Sequence, residues 1–187
     1  FKKKWDLKND KEFAFLNEYK VEDLNSSKAQ IIIKDLKPDL ILVFGTGILK
    51  KETFSIPKKG SINIHTGITP NYRGSKSEFW ALYNNQPELV GYTIHCIDQG
   101  IDTGNLIFQK KIKVDVKDNP NTLRAKNIED LSTNIGEIII KHIKNKTYTI
   151  KKDISLESRL YSTPNFFDYI YLFLRNKVKN LIRFSKK

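Results

Sequence analysis

Asn63-Ile64-His65 places an amide and an imidazole two residues apart at the end of an apolar run. In a strand such residues share one face, and Ile62 and Ile64 take the other. Thr93-Ile94-His95 repeats the arrangement and leads into Asp98-Gln99-Gly100-Ile101-Asp102-Thr103-Gly104. Three chemical roles are then filled. Asn63 can donate a hydrogen bond to a developing oxyanion. His65 can move a proton. Asp102 can fix the charge and tautomer of that imidazole. No Ser, Cys or Lys is placed as a covalent nucleophile, and Cys96, beside His95, points to the opposite face and reads as a packed core thiol. The set suits direct attack of a substrate amine on an acyl carbon better than a two-step hydrolase. Alone, the Asn63–His65 pair is equally what a strand end with two solvated polar side chains looks like. The second histidine and the glycine-bracketed acid shift that balance.

Two competing uses of these residues are weaker. Zinc would need three ligands converging from His65, His95, Asp98 and Asp102, and no helical His-Glu-x-x-His pattern supports it. Gly45-Thr46-Gly47 invites a dinucleotide fingerprint, but Lys50 stands where its third glycine would be and no ribose-binding acid is placed. No metal is expected.

The elements that must position these side chains follow from apolar spacing. Helices are predicted over Asn9–Lys20, over Leu24–Leu36 with Asn25 or Ser26 as cap and Ile31, Ile32 and Leu36 inward, over Lys76–Asn84, and over Asn119–Ile143. The last is capped by Asp118 or Asn119, has Pro120 in its first turn, and carries a stripe of Leu123, Ile128, Leu131, Ile135, Ile139 and Ile143. Strands are predicted over Leu40–Phe44, Ser61–His65, Leu89–Ile97 and Leu106–Val114. Leu40–Phe44 is apolar throughout, which suits a central parallel strand buried on both faces. Loops fall at Gly45–Gly47, Thr66–Ser75 and Gln99–Asn105. Strands alternating with helices argue for an α/β domain, an open and mostly parallel twisted sheet with flanking helices. Residues 1–150 form the expected catalytic domain. Residues 151–187 are a C-terminal extension whose Phe166–Phe184 mixes aromatic and basic residues on a predicted helix.

Composition bounds the rest. The chain has 187 residues, 39% apolar and 29% charged, with a net charge of +12, enough apolar material for one domain with a core. The lysines are spread along the chain, so a solvated surface is the plainer reading of that charge and a specific basic face the sharper one. No run of about 18 apolar residues exists to span a membrane. Lysine-rich Phe1–Asp10 is followed by no signal-peptide pattern, and Cys96 is the single cysteine, so a reducing cytoplasm is the expected compartment. There is no methionine, so the true start of the chain is expected to be missing.

Asn63-Ile64-His65, Pro70-Asn71-Tyr72-Arg73-Gly74, Trp80-Ala81-Leu82, Gly91-Tyr92-Thr93-Ile94-His95 and Ile101-Asp102-Thr103-Gly104 occur in that order. Together they resemble the formyltransferases that use 10-formyltetrahydrofolate, which act on glycinamide ribonucleotide, methionyl-tRNA or amino sugars. The resemblance runs from about Leu40 to Val114 and implies a Rossmann-like formyltransferase fold. It gives Asn63, His65 and Asp102 the catalytic positions. It puts the folate co-substrate against Thr46, Gly47, Ile48, Leu49, Ile97, Gly100 and Ile101, and the acceptor near Tyr72, Arg73 and His95. Thr66-Gly67 departs from the Pro-Ser or Ala-Ser usual after the histidine, on the acceptor side. Only 62 residues precede Asn63, so the resemblance implies that the first strand–helix–strand unit is missing, and no room is expected after Lys151 for the RNA-contacting domain of the tRNA enzymes. Tyr72-Arg73-Gly74 with Trp80 and His95 is more similar to the amino-sugar enzymes than to the purine enzyme, so a nucleotide-linked amino sugar is the expected acceptor. No nucleic acid and no membrane span are expected as partners, and a homodimer is. Glycinamide ribonucleotide or methionyl-tRNA as acceptor, water as acceptor (a formyl-folate hydrolase), and a basic RNA- or membrane-binding module built on Phe166–Lys187 are the alternatives.

Overall fold

The computed structural model describes residues 17–145 and 157–184, with side chains through 144 and from 157 to 175. The predicted helix over Asn9–Lys20 falls largely outside the described residues, and residues 17–20 are not helical. Four strands form the main sheet in the order β1 (Ile41–Phe44), β2 (Ser61–His65), β4 (Gly91–Cys96), β5 (Leu106–Lys111). The α/β class with flanking helices holds, but the expected strand directions do not. In this sheet, as described, β1 and β2 run parallel, whereas β2–β4 and β4–β5 are antiparallel. The 97–105 turn joins β4 to β5 as a hairpin, and the longer connection from β2 to β4 carries the α-helix α3 (Ser77–Tyr83).

Alternation sorts the side chains of the central strands. Ile62, Ile64, Tyr92 and Ile94 pack with Ile107 and with Leu131 of the long helix α4 (Pro120–Asn145). Asn119 starts that helix, its side chain accepting from the Asn121 and Thr122 amides. Ile135 and Ile139 lie against the core as the stripe predicts, and Ile138 joins them. Cys96 is half-buried against the same cluster.

A second cluster of Tyr72, Ala81, Val90 and Leu123 lies where α3 meets α4. The two-residue strand β3 (Arg73–Gly74) pairs in parallel with β6 (Leu160–Tyr161), tying the C-terminal segment to the domain. Helix α5 (Phe166–Phe184) then rests on α3 through Tyr169 on Phe79 and Tyr171 on Tyr83, while Arg175 donates to the Leu82 and Tyr83 carbonyls.

Two expectations about burial fail. Helix α1 (Ser27–Leu36), capped by Ser26, leaves Ile31 and Leu36 exposed. It leans on the neighbouring loop and short helix α2 (Lys51–Phe54), through Asn25 to Ile48 O and Gln30 to Thr53, rather than on the sheet. Strand β1 buries only Val43 and leaves Leu42 and Phe44 exposed, because among the described residues it has a sheet partner on one side only. No described helix is long and apolar enough to cross a membrane.

Candidate active site

The antiparallel register of β2 and β4 sets Asn63 opposite His95 and His65 opposite Thr93. Four polar side chains thus occupy the face away from the isoleucines. Asp102 reaches them from the loop after β4. Its backbone is left-handed (φ 52), a conformation that aspartate and asparagine tolerate better than most residues. Gly104 lets this loop lie directly on β4, since a Cβ there would sit 1.6 Å from the Cys96 carbonyl oxygen.

Asp102 is the centre of the cluster. Its Oδ1 accepts from Asn63 Nδ2 at 3.1 Å and lies 3.3 Å from His95 Nε2. Its Oδ2 accepts from the Gly74 amide at 2.8 Å and lies 3.4 Å from His65 Nδ1. Burial pushes the carboxyl pKa up. The His95 hydrogen bond, the His65 charge and the Gly74 amide outweigh it and lower the value to about 2. A carboxylate is therefore maintained in a largely enclosed position.

The histidines differ in their second nitrogen. His95 Nδ1 lies 2.8 Å from Cys96 O, which only accepts, so Nδ1 carries hydrogen. His65 Nε2 lies 2.7 Å from Tyr72 O and 3.2 Å from Ser77 Oγ. Tyr72 O only accepts, so His65 Nε2 donates to it, and the place between Nδ1 and Asp102 Oδ2 is where a further proton would sit. Asn63 Nδ2 also lies 3.3 Å from His95 Nε2, so an incoming oxyanion must take over one of the amide's present contacts.

This cluster forms part of the wall of a cleft of about 760 Å³, within the usual range for a small-molecule site. Asn63, His65, His95 and Asp102 line it, as do all seven residues expected against a flat heterocycle: Thr46, Gly47, Ile48, Leu49, Ile97, Gly100 and Ile101. Gly45, at φ 65, turns the chain from β1 into the first of those loops.

Two expected acceptor contacts lie elsewhere. Tyr72 is 1% exposed, stacks on Tyr161 and bonds Gln86, so it supports the site from beneath. Arg73 donates to Ile101 O and braces the Asp102 loop without lining the cleft. Asp98 accepts from Gly100 N and Thr103 Oγ1 within its own loop. Among the described residues, no three His, Cys, Asp or Glu side chains converge as metal ligands would.

Lys76, Arg124 and Leu160–Thr163 also reach the cleft, and spacing alone does not find them. Gly74 and Ser77 were missed as partners of Asp102 and His65, although both flank a loop already marked by glycine and proline.

Known proteins resemble this chain in sequence and in fold. A methionyl-tRNA formyltransferase from Thermodesulfovibrio yellowstonii is 41% identical over 112 residues, 59% of this chain and 35% of that protein. Its counterpart from Ehrlichia ruminantium (Welgevonden) is 36% identical over 131 residues, 70% of this chain and 42% of the relative. The chain thus spans well under half the length of these curated relatives. Among solved structures, the formyltransferase PseJ from Anoxybacillus kamchatkensis, in complex with UDP-4,6-dideoxy-4-formamido-L-AltNAc and tetrahydrofolate, superposes with a TM-score of 0.61. That match has 23% identity and covers 71% of this chain and 69% of that one. The sequence profile of the formyl transferase family matches residues 3–135, most of the chain, including β1, β2, the Asp102 loop and the start of α4. The strand-end amide, its two histidines and their shared carboxylate therefore sit within a formyl transferase sequence, and the chain belongs to that family.

Proposed function

We propose that the cleft binds 10-formyltetrahydrofolate and that the protein transfers its formyl group to a primary amine on a nucleotide-linked amino sugar. The observation that carries this reading is the convergence of Asn63, His65 and Asp102 on one wall of a cleft edged by the 46–49 and 97–101 loops. Several further observations support it. Gly47 and Gly100 place no side chain between the loop backbone and the cleft. Lys76 and Arg124 line the cleft and match the charge of a diphosphate. The family match runs through every one of the catalytic candidates.

The residues then act as follows. Asn63 donates an N–H to the formyl oxygen as it becomes an oxyanion during attack by the amine nitrogen. The His65–Asp102 pair takes the proton the amine loses and returns it to the folate nitrogen as the old C–N bond breaks. One C–N bond forms, one breaks, and one proton moves between the two nitrogens. His95 and the Gly74 amide hold Asp102 charged and aimed. In this reading residues 1–150 are the catalytic unit, and the 151–187 extension contributes Leu160–Thr163 to the acceptor side. A reducing cytoplasm, with Cys96 a free thiol, is its setting.

A methionyl-tRNA acceptor is the second reading, favoured by the sequence relatives. Release of tetrahydrofolate, followed with the donor and a panel of amino-sugar nucleotides and methionyl-tRNA, tests both. Release that depends on an amino-sugar nucleotide and falls about 10²–10³-fold in Asn63→Ala is expected. Release with methionyl-tRNA alone moves the acceptor to the second reading. Donor breakdown without any amine, or an unchanged rate in Asn63→Ala, rejects the proposed transfer.

A further inference from the structure

Among the described residues, the outward face of α5 is used neither by the fold nor by the cleft. The helix is fixed on the domain by buried Leu172, by the Tyr169 and Tyr171 ring contacts and by Arg175. Those anchors leave Phe166, Phe167, Ile170 and Leu174 outward, at positions 0, 1, 4 and 8 of the helix and so on one side of it. Phe166 is 73% exposed, Phe167 76% and Leu174 54%. A domain that holds one side of a helix and turns bulky apolar groups to solvent on the other presents a docking surface.

We infer that α5 is an interfacial helix that seats this face in an anionic lipid bilayer. Charge identifies the occupant. The chain carries +12, and α5 itself holds Arg175, Lys177, Lys179 and Arg183 against one acid, Asp168. That balance repels a second copy of the chain and attracts a negatively charged surface. Ile170 and Leu174 set aliphatic groups beside the Phe166 and Phe167 rings, and none of the four side chains offers a hydrogen bond, so the face suits acyl chains better than the edges of nucleic-acid bases. An apolar side rich in Phe and Leu on a basic helix is the pattern that lies within the headgroup boundary without spanning it, and no described helix is apolar and long enough to span. Leu160–Thr163 line the cleft and lead directly into α5, so docking holds the cleft mouth close to the headgroups.

Co-sedimentation of the full chain with vesicles of equimolar phosphatidylglycerol and phosphatidylcholine, against phosphatidylcholine alone, tests this. Binding is expected to the anionic vesicles and to weaken with salt. The double substitution Phe167→Ser/Leu174→Ser is expected to lower partitioning by about tenfold per side chain, with the circular dichroism unchanged. A Leu174→Trp variant provides a reading that removes no apolar group. Its added emission is expected to shift to the blue on the anionic vesicles and to be quenched by brominated acyl chains. Four results overturn the inference: no binding to anionic vesicles, no blue shift from the tryptophan, a stable dimer that the double variant dissociates, or an RNA oligonucleotide that displaces the chain from the vesicles.

Discussion

Strands β2 and β4 carry two opposite solutions to burial on their two faces. On one, Ile62, Ile64, Tyr92 and Ile94 pack with Ile107 and Leu131. On the other, Asn63, His65, Thr93 and His95 are nearly as enclosed, yet each is held by directed hydrogen bonds. Thr93 shows how complete this is: its hydroxyl donates to Gly67 O at 2.6 Å and accepts from the Thr69 amide and Gln109 Nε2. The apolar face stabilises by area and tolerates a change of shape at graded cost. The polar face depends on every partner, because a buried group left unpaired keeps its full desolvation cost. Register connects the two. A slip of one residue between β2 and β4 would put isoleucines in the cleft and imidazoles in the core.

The largest expected effect is on the polar face. Asp102→Asn keeps the shape and the tolerance for positive φ but removes the charge that both histidines face. Formyl transfer is expected to slow by about 10²–10⁴-fold. The same substitution has a signature in acid. The Asp102 carboxyl titrates at about 2 against an ordinary 3.8, so the stability it contributes is complete above pH 3.8 and is lost as pH falls through about 2. Denaturant melts across that window should steepen for the native chain relative to Asp102→Asn. Equal slopes would show that Asp102 carries no such coupling. On the apolar face Ile94→Ala, at a fully buried position, is expected to cost about 2–5 kcal/mol of stability. Its turnover per folded molecule should stay within a few-fold at low temperature. A loss of turnover as large as that of Asp102→Asn would break the division between the faces.

Much of this division was legible in the sequence. Alternation in Ser61–His65 and Gly91–Cys96 puts Ile62, Ile64 and Cys96 on the core face and Asn63, His65 and His95 on the other, as found, because a strand's period is fixed by its backbone. What alternation cannot supply is direction. The parallel expectation came from strands alternating with helices, whereas the antiparallel pairing that sets Asn63 opposite His95 depends on how the chain returns. Leu40–Phe44 was misread for a related reason. An apolar run reports a preference for burial, but whether Leu42 and Phe44 find cover depends on a neighbouring strand that the run itself does not encode. Tyr72 and Arg73 mark their loop correctly, and the fold turns them away from the cleft to brace it. Lys76, Arg124 and Thr163 reach the cleft from three separate stretches of chain, and no local spacing brings such residues together.

The smallest effect comes from the one hydroxyl on the apolar face. Tyr92 packs its ring in the core, and its Oη donates to Asp130 Oδ2 on α4 at 2.8 Å. Burial, reinforced by that bond and the charge of Asp130, pushes the phenol far above its ordinary range, so the hydroxyl stays a donor throughout the working pH range. Tyr92→Phe keeps the ring and removes one bond. Asp130 is not orphaned, because Lys110 Nζ remains 2.7 Å from its Oδ1. The expected loss is therefore only about 1 kcal/mol, that of a hydrogen bond whose acceptor keeps another partner. A chemical-denaturation midpoint measured beside that of Ile94→Ala would show it. If Tyr92→Phe cost as much as Ile94→Ala, the apolar face would be held by direction as well as by area, and its contrast with the catalytic face would fail at the residue where the two are most nearly joined.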